Sequence, residues 1–363
     1  YGIALYQSYR NRKPYHADGD GFSEFGKMNM KSFGLRAYYR PTQFSRISLE
    51  YHTTNEFRRG GNKFDLQPHE TDITEQTKHI INSGGLTYDV FFNEYKHKLS
   101  VYASAQHTDR NSYYGADKAE NAYGKTNDLT AVGGAMYVGN MDNCLFFPAT
   151  FTGGLEYQYN SLHDVMTGYG RDLRQDVKIA SGFVQNEWKL DYFTILAGFR
   201  LDKHNLVDNV IFSPRINTLW KPSDKFQGRL TWSTGFRAPQ AYDEDLHVAA
   251  VGGEAMEVRL AEGLKPERSN SFSGSVDWSF NFGHFQSNLL IEGFYTALND
   301  VFYLESLGKD PVSGTLVQER RNGNGARVYG ANIDYKIAHG KEAQLQLGFT
   351  VQRSRYIEAV RWS

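Results

Sequence analysis

Apolar and polar residues alternate along this chain in about fifteen stretches, and the connections between them run short, long, short, long to the end. The short ones read as Arg40–Thr42, Phe92–Lys96, Asn140–Ala149, Leu190–Tyr192, Lys221–Lys225, Asn281–His284 and Ala338–Lys341. The long ones fall near residues 11–29, 55–81, 108–128, 161–176, 205–212, 236–268 and 299–326. A meander built this way carries tight turns along one edge and long loops along the other. That sorting is the loop asymmetry of an antiparallel transmembrane β-barrel of the outer-membrane type, with short periplasmic turns and long extracellular loops. A soluble sandwich or propeller has no physical reason to sort its loops by length.

Composition excludes a helical membrane protein, because only 40% of the 363 residues are apolar, 22% are charged, and no run approaches the roughly 18 apolar residues of a membrane helix. A barrel escapes the objection. Every second residue of its strands faces a polar lumen, so window averages hide its hydrophobicity. The alternation itself is plain in single strands. Ile47, Leu49 and Tyr51 share one face while Ser48, Glu50 and His52 share the other. Phe226, Leu230 and Trp232 oppose Gln227, Arg229, Thr231 and Ser233, and Ile195, Ala197, Phe199 and Leu201 oppose Thr194, Gly198, Arg200 and Asp202. Near the end, Leu345, Leu347, Phe349 and Val351 oppose Gln344, Gln346 and Thr350.

A half-buried sheet in water alternates in the same way, so the placement of aromatic residues carries more weight. Rings that prefer a membrane–water boundary should gather where strands enter the short turns. Phe91, Phe92 and Tyr95, then Phe146 and Phe147, then Trp188, Tyr192 and Phe193, then Trp220 and Phe226, and finally Trp278, Phe280, Phe282 and Phe285 all sit there. Aromatic residues also favour strands in general, and that reading stays open beside the girdle.

A net charge of −1 argues against a nucleic-acid binder, which would show a basic surplus. The single cysteine, Cys144, can form no internal disulfide and reads as a small turn residue. No signal peptide is visible, since Tyr1 opens directly into a strand-like segment from Ile3 to Tyr9. Fifteen strands would start and finish on opposite sides of a membrane, whereas single-chain bacterial barrels hold an even number and close their edges. The expectation is a piece of a longer precursor, with residues missing at one or both ends.

After the strand ending at Trp232 the chain reads Ser233-Thr234-Gly235-Phe236-Arg237-Ala238-Pro239-Gln240-Ala241-Tyr242-Asp243-Glu244-Asp245-Leu246, and later Gly263-Leu264-Lys265-Pro266-Glu267-Arg268-Ser269. Gly235 and Pro239 are expected to end the strand, glycine by relaxing the backbone and proline by removing a ladder donor and holding Ala238 extended. Arg237 at a barrel rim can pair with a carboxylate such as Glu267 or Asp243 and tie the loop ends together, a supporting role rather than a ligand contact. The paired segments resemble those of TonB-dependent outer-membrane receptors, which carry a Gly-aromatic-Arg-Ala-Pro segment, an acidic residue soon after, and a Leu-Lys-Pro-Glu segment before the next strand.

This resemblance implies a barrel of about 22 strands filled by an N-terminal plug. It also implies import of scarce large nutrients with energy delivered by a periplasmic TonB complex. All of residues 1–363 would then belong to one barrel domain, and neither the plug nor the TonB-contacting segment lies among them. Haem receptors of the family often pair the arginine segment with Asn-Pro-x-Leu and a loop histidine. His247 lies in the interval, but the second segment reads Glu262-Gly263-Leu264-Lys265-Pro266-Glu267, without Asn-Pro. A solvated polar residue is the plainer reading of His247.

Asp243, Glu244 and Asp245 could present hard oxygens to Ca²⁺, as loops of some cobalamin receptors in the family do, although their spacing is not that of a helical calcium loop and ordinary surface charge is the plainer reading. Ca²⁺ is the only cofactor so suggested. The connection at 55–81 holds Arg58, Arg59, Lys63 and His69 with Gly60 and Gly61, and a basic, mobile loop over a pore would attract an anionic chelate. A solvated loop would look the same. No His-Glu-x-x-His, phosphate loop or Gly-x-Ser-x-Gly elbow is present, so nothing nominates an enzyme. The expected function is an active-transport receptor of the Gram-negative outer membrane that imports a ferric siderophore, cobalamin or haem. Its expected partners are the TonB complex, the lipid bilayer and the chelate. The alternatives are a passive substrate-specific porin and a soluble all-β binding or adhesion module.

Overall fold

The structure is a computed structural model, and it describes residues 1–166, 168, 171–239, 256–309, 311 and 316–358. Fifteen strands form one antiparallel meander, each hydrogen-bonded to the next. They are β1 (Gly2–Arg12), β2 (Lys27–Tyr39), β3 (Ser45–Gly61), β4 (Ile73–Phe92), β5 (His97–Ala116), β6 (Tyr123–Cys144), β7 (Phe147–Met166) and β8 (Arg171–Lys189). The meander continues through β9 (Phe193–His204), β10 (Ile211–Ser223), β11 (Phe226–Arg237), β13 (Glu267–Phe282), β14 (Phe285–Asn299), β17 (Ala326–His339) and β18 (Ala343–Tyr356). A second, three-stranded sheet stands in the long connections: β12 (Met256–Leu260) pairs parallel with β16 (Leu316–Asn322), which pairs antiparallel with β15 (Phe302–Lys309).

Every expected short connection is a tight turn. Between β4 and β5, Asn93, Glu94 and Tyr95 all take left-handed backbone angles, and the Lys96 amide closes the turn on the Asn93 carbonyl at 3.0 Å. Between β17 and β18, Gly340 supplies the positive φ. The Asn140–Ala149 connection is shorter than the sequence suggests. Strand β6 runs on to Cys144 through a bulge after Met141, the two-residue turn is Leu145-Phe146, and the Trp188 indole caps it by donating to the Cys144 carbonyl at 2.9 Å.

The long connections differ more from expectation. Residues 55–81, 108–128 and 161–176 are mostly strand, leaving only 62–72, 117–122 and 167–170 between the paired segments. Strand β6 has 22 residues, against roughly 9–11 needed to cross a bilayer. The hairpins therefore project well beyond the membrane on the long-loop side. Above the bilayer both faces are wet, so hydrophobic alternation fades while Thr, Tyr and Asn keep the ladder paired.

Side chains divide by parity. Leu49, Leu86, Leu155, Leu230, Val276, Ile291, Leu347 and Phe349 are exposed on the outer face, which is where acyl chains lie in a barrel of this kind. Near the turns this face carries a ring stack: Phe92 to His97 at 5.2 Å, His97 to Tyr137 at 5.9 Å and Tyr137 to Phe151 at 6.2 Å. Trp220 lies 6.4 Å from Phe193 and 5.5 Å from Phe226, and Trp278 lies 4.6 Å from Phe280. Phe92, Phe193, Trp220, Phe226, Trp278 and Phe280 are rings that the sequence places at the turn-side girdle, and His97, Tyr137 and Phe151 join them.

The inner face is a polar lattice. Arg36 pairs with Glu50 at 2.7 Å, Tyr102 donates to Glu156 at 2.7 Å, and Arg200 bridges Glu156 at 2.9 Å and Asp202 at 2.8 Å. Two tyrosines of this lattice lie over glycines of the neighbouring strand. A Cβ on Gly34 would come within 1.9 Å of the Tyr6 ring, whose hydroxyl meets His52 Nδ1 at 2.6 Å. Tyr102 covers Gly134 in the same way. Gly34→Ala is therefore expected to displace Tyr6 and lower stability by about 1–3 kcal/mol, the cost of overpacking. Urea denaturation of the refolded protein in detergent, with Gly293→Ala on open outer surface as the control, measures the difference.

Candidate functional site

Two groups that the sequence singles out stand at the long-loop ends of the strands, the motif segments at 235–239 and 264–267 on one connection and Arg58, Arg59 and His69 on another. Strand β11 does not stop at Gly235. It runs to Arg237, with Gly235 opposite Ser269 and Arg237 opposite Glu267, so the two motif segments are the facing ends of one ladder. Pro239 follows directly after the strand's end. Arg237 pairs with Glu267 at 3.6 Å, one of the two partners that its chemistry allowed. Its guanidinium also sits 5.7 Å from the centre of the Phe302 ring, which Arg320 approaches to 5.9 Å. Glu267 in turn accepts the Phe302 backbone N–H. Phe236 packs on a small cluster of Val207, Ile211 and Ala238, which fastens the 205–210 connection to the same rim.

The Leu264-Lys265-Pro266 segment is held by its backbone. Asn322 accepts from the Lys265 N–H at 2.8 Å, donates to the Lys265 carbonyl at 2.9 Å and donates to the Asp300 carbonyl at 2.6 Å. Nothing in the local sequence marks Asn322 for this role. The contact joins segments 57 residues apart, and only the second sheet brings them together.

The basic cluster at 55–81 proves to be ordered. Arg58 lies on β3 and forks onto Glu56 at 2.8 and 3.0 Å. Arg59 is buried, donates to the carbonyls of Lys63 at 3.3 Å and Leu66 at 2.9 Å, and stacks 5.5 Å from the Phe64 ring. Burial pulls its guanidinium pKa below the ordinary value. Lys63 pairs with Asp72 at 2.8 Å, and His69 Nδ1 meets the Tyr123 hydroxyl at 2.8 Å. Gly61 is not a hinge: at φ 111° it brings its backbone so close to Ile73 that a Cβ would lie 2.1 Å from that carbonyl oxygen. The reading of a mobile basic loop is corrected accordingly, since long paired strands and a web of side-chain bonds fix it.

His247, Asp243, Glu244 and Asp245 lie outside the described residues. Among the described residues a different acidic group comes together: Asp18, Asp20 and Glu24 in the first outer connection, with ligand atoms all within 4.8 Å of one another. The backbone N–H of Asp20 holds the Asp18 carboxyl below its ordinary pKa. The Asp20 side chain likewise accepts the Phe22 N–H at 2.7 Å, and Glu24 that of Ala17 at 2.7 Å, so the group already satisfies its own loop.

The chain belongs to the TonB-dependent receptors. Residues 4–361 match the family model described as TonB dependent receptor-like, beta-barrel. Its fold is shared by the siderophore receptor PirA from Pseudomonas aeruginosa, with a TM-score of 0.74 at 13% identity over 97% of this chain and 60% of that one. It is shared too by a double mutant of the Serratia marcescens hemophore receptor HasR, solved with its hemophore HasA and heme, with a TM-score of 0.69 at 14% identity over 97% of this chain and 59% of that one. An iron-regulated outer membrane virulence protein of Vibrio cholerae is 29% identical over 172 residues, 47% of this chain and 25% of that protein. The chain thus spans about three fifths of the solved structures and a quarter of the Vibrio protein. The family resides in the Gram-negative outer membrane, and its members are receptors and transporters rather than enzymes.

The rim also holds a buried histidine. His204 is fully buried, and its Nδ1 accepts the Leu206 N–H at 3.0 Å. Burial lowers the imidazole pKa below its ordinary value, against the pull of Asp202. A histidine so depressed binds its proton less readily when folded. Its contribution is therefore intact above the ordinary pKa of about 6.5 and is lost as pH falls below it. Acidification from pH 8 to 5 is expected to speed hydrogen exchange at Leu206 and Val207, whereas the turn at Leu190–Tyr192 should show no change beyond the intrinsic pH dependence of exchange.

Proposed function

We propose that this chain is the larger part of the barrel of an outer-membrane receptor that captures a scarce iron chelate and passes it inward with TonB-delivered energy. The observation that carries the reading is the family match over residues 4–361, on a wall whose inner face is a polar and ionic lattice. Such a face suits a hydrated, charged cargo far better than an apolar one. Relatives described as a siderophore receptor, a hemophore receptor and an iron-regulated protein favour ferric siderophore or haem. Cobalamin stays as the third cargo considered, without a relative to favour it.

Arg58 is the basic candidate most open to a ligand, with a side chain 60% exposed and a partner on its own strand. Arg59 and His69 serve by holding the 62–72 connection in place. His247 and the acidic run Asp243, Glu244 and Asp245 belong to the connection that the Arg237–Glu267 pair closes, and they are proposed as further contacts there, His247 to a chelate and the acidic run to Ca²⁺. A plug and a TonB-contacting segment are proposed to lie elsewhere in the whole protein.

The test uses the full-length protein in its own outer membrane. Binding of ferric siderophores, haem and cobalamin is measured, and uptake is compared in cells with and without TonB. One chelate bound tightly and taken up only with TonB is the expected result. Weak, unselective uptake indifferent to TonB would replace the receptor with a passive porin.

A further inference from the structure

Two histidines and a glutamate come together at the short-turn edge of the wall, at the opposite end of the strands from the rim. The turn between β17 and β18 is His339-Gly340-Lys341-Glu342. The Glu342 N–H closes it on the His339 carbonyl at 3.1 Å, and Gly340 supplies the left-handed residue at φ 53°. A turn of this kind holds its first and last Cα atoms within about 7 Å, and Glu342 Oε2 lies 3.4 Å from His339 Nδ1. The neighbouring turn, between β13 and β14, is Gly283-His284, with Gly283 at φ 59°. Phe285 is the register partner of His339, so the residue before it stands beside the same turn. The rings of His284 and His339 are 6.5 Å apart between centres with their planes at 88°, and Phe285 flanks His339 at 5.1 Å.

Two imidazoles and a carboxylate, with water in the fourth place, are a ligand set that zinc takes, and imidazole suits late first-row divalent metals in general. Metal–nitrogen bonds of about 2.0–2.1 Å put two such rings roughly 5 Å apart between centres. His339 and Glu342 are already side by side, so closing the set requires only that His284 swing inward by about 1–2 Å, the difference from that spacing. Its side chain is exposed and has no hydrogen bond or ion pair among the described residues, which leaves the ring free to turn.

We infer that His284, His339 and Glu342 bind one divalent transition metal of the zinc class at the periplasmic edge and so clamp the β13–β14 hairpin to the β17–β18 hairpin. The ion is separate from any cargo, since the cargo enters from the long-loop side and the three ligands stand on short turns. A plain ion pair between His339 and Glu342 is the competing account. It gives His284 no part, and that difference makes the two accounts separable.

The full-length protein, made without a polyhistidine tag and freed of metal with EDTA in mild detergent, is titrated with Zn²⁺ alone and separately with Cu²⁺. Bound zinc is counted by elemental mass spectrometry after dialysis. Cu²⁺ is read by electron paramagnetic resonance, whose nitrogen hyperfine pattern counts imidazole ligands. Heat-modifiable gel mobility confirms that each variant is folded. The wild-type protein is expected to hold one more Zn²⁺ per chain than His284→Ala with His339→Ala, and to show a two-imidazole Cu²⁺ component that either single histidine variant loses. Glu342→Gln is expected to keep that component and to weaken zinc retention by roughly tenfold, the low end of what a supporting contact at a metal site is worth. Equal zinc counts in the wild-type protein and the folded double variant would overturn the inference. So would a two-imidazole component that survives His284→Ala, or its absence from the wild-type spectrum.

Discussion

Inside a bilayer no water is available to the backbone, so each N–H and C=O must find its partner within the protein. The antiparallel ladder from β1 to β18 meets that demand for every strand between its two outer edges, and the rest of the structure is organised by it. Pairing every residue with its neighbour fixes the parity of every side chain, and parity decides which ones meet lipid and which meet the lumen. A one-residue slip of β7 and β9 would turn Glu156 and Arg200 toward the acyl chains and Leu155 and Leu201 toward the pore.

The two faces consequently do different chemistry with the same backbone. The outer one is held by burial against lipid and by rings at the turn side. The inner one is held by bonds between side chains that reach across the sheet, such as the Tyr102–Glu156–Arg200–Asp202 chain, which steps from β5 over β6 to β7 and over β8 to β9. Above the membrane the ladders continue, and there the second sheet and the Arg237–Glu267–Phe302 contact tie two long connections to one rim. A receptor needs such a rim to hold its outer segments at fixed positions over the mouth, and TonB-dependent receptors are the family to which the chain belongs.

Much of this was legible in the sequence, and the reasons are physical. Ile47, Leu49 and Tyr51 could be assigned to one face because lipid on one side and polar lumen on the other impose a strict period of two. Arg237 and Glu267 could be paired because a permanently charged guanidinium and a carboxylate flank the same connection. The strand portions beyond the bilayer, such as Asn55–Arg59 or Thr108–Tyr114, were not legible as strand, since water on both sides removes the period while pairing persists. Short β12, β15 and β16 pair across distances that no local pattern records. Arg59 looked like a free cation, and only the folded 62–72 connection shows it buried against carbonyls and Phe64.

The most direct measurement asks whether parity separates lipid from lumen. With Cys144 and any other native cysteine replaced by serine, single cysteines at residues 227–233 of β11 are spin-labelled in the full-length protein in bilayers. Collision with oxygen, which partitions into acyl chains, is expected to peak at 228, 230 and 232 and to fall at 227, 229, 231 and 233. A profile without this period of two, or one of opposite phase, would contradict the account of the fold.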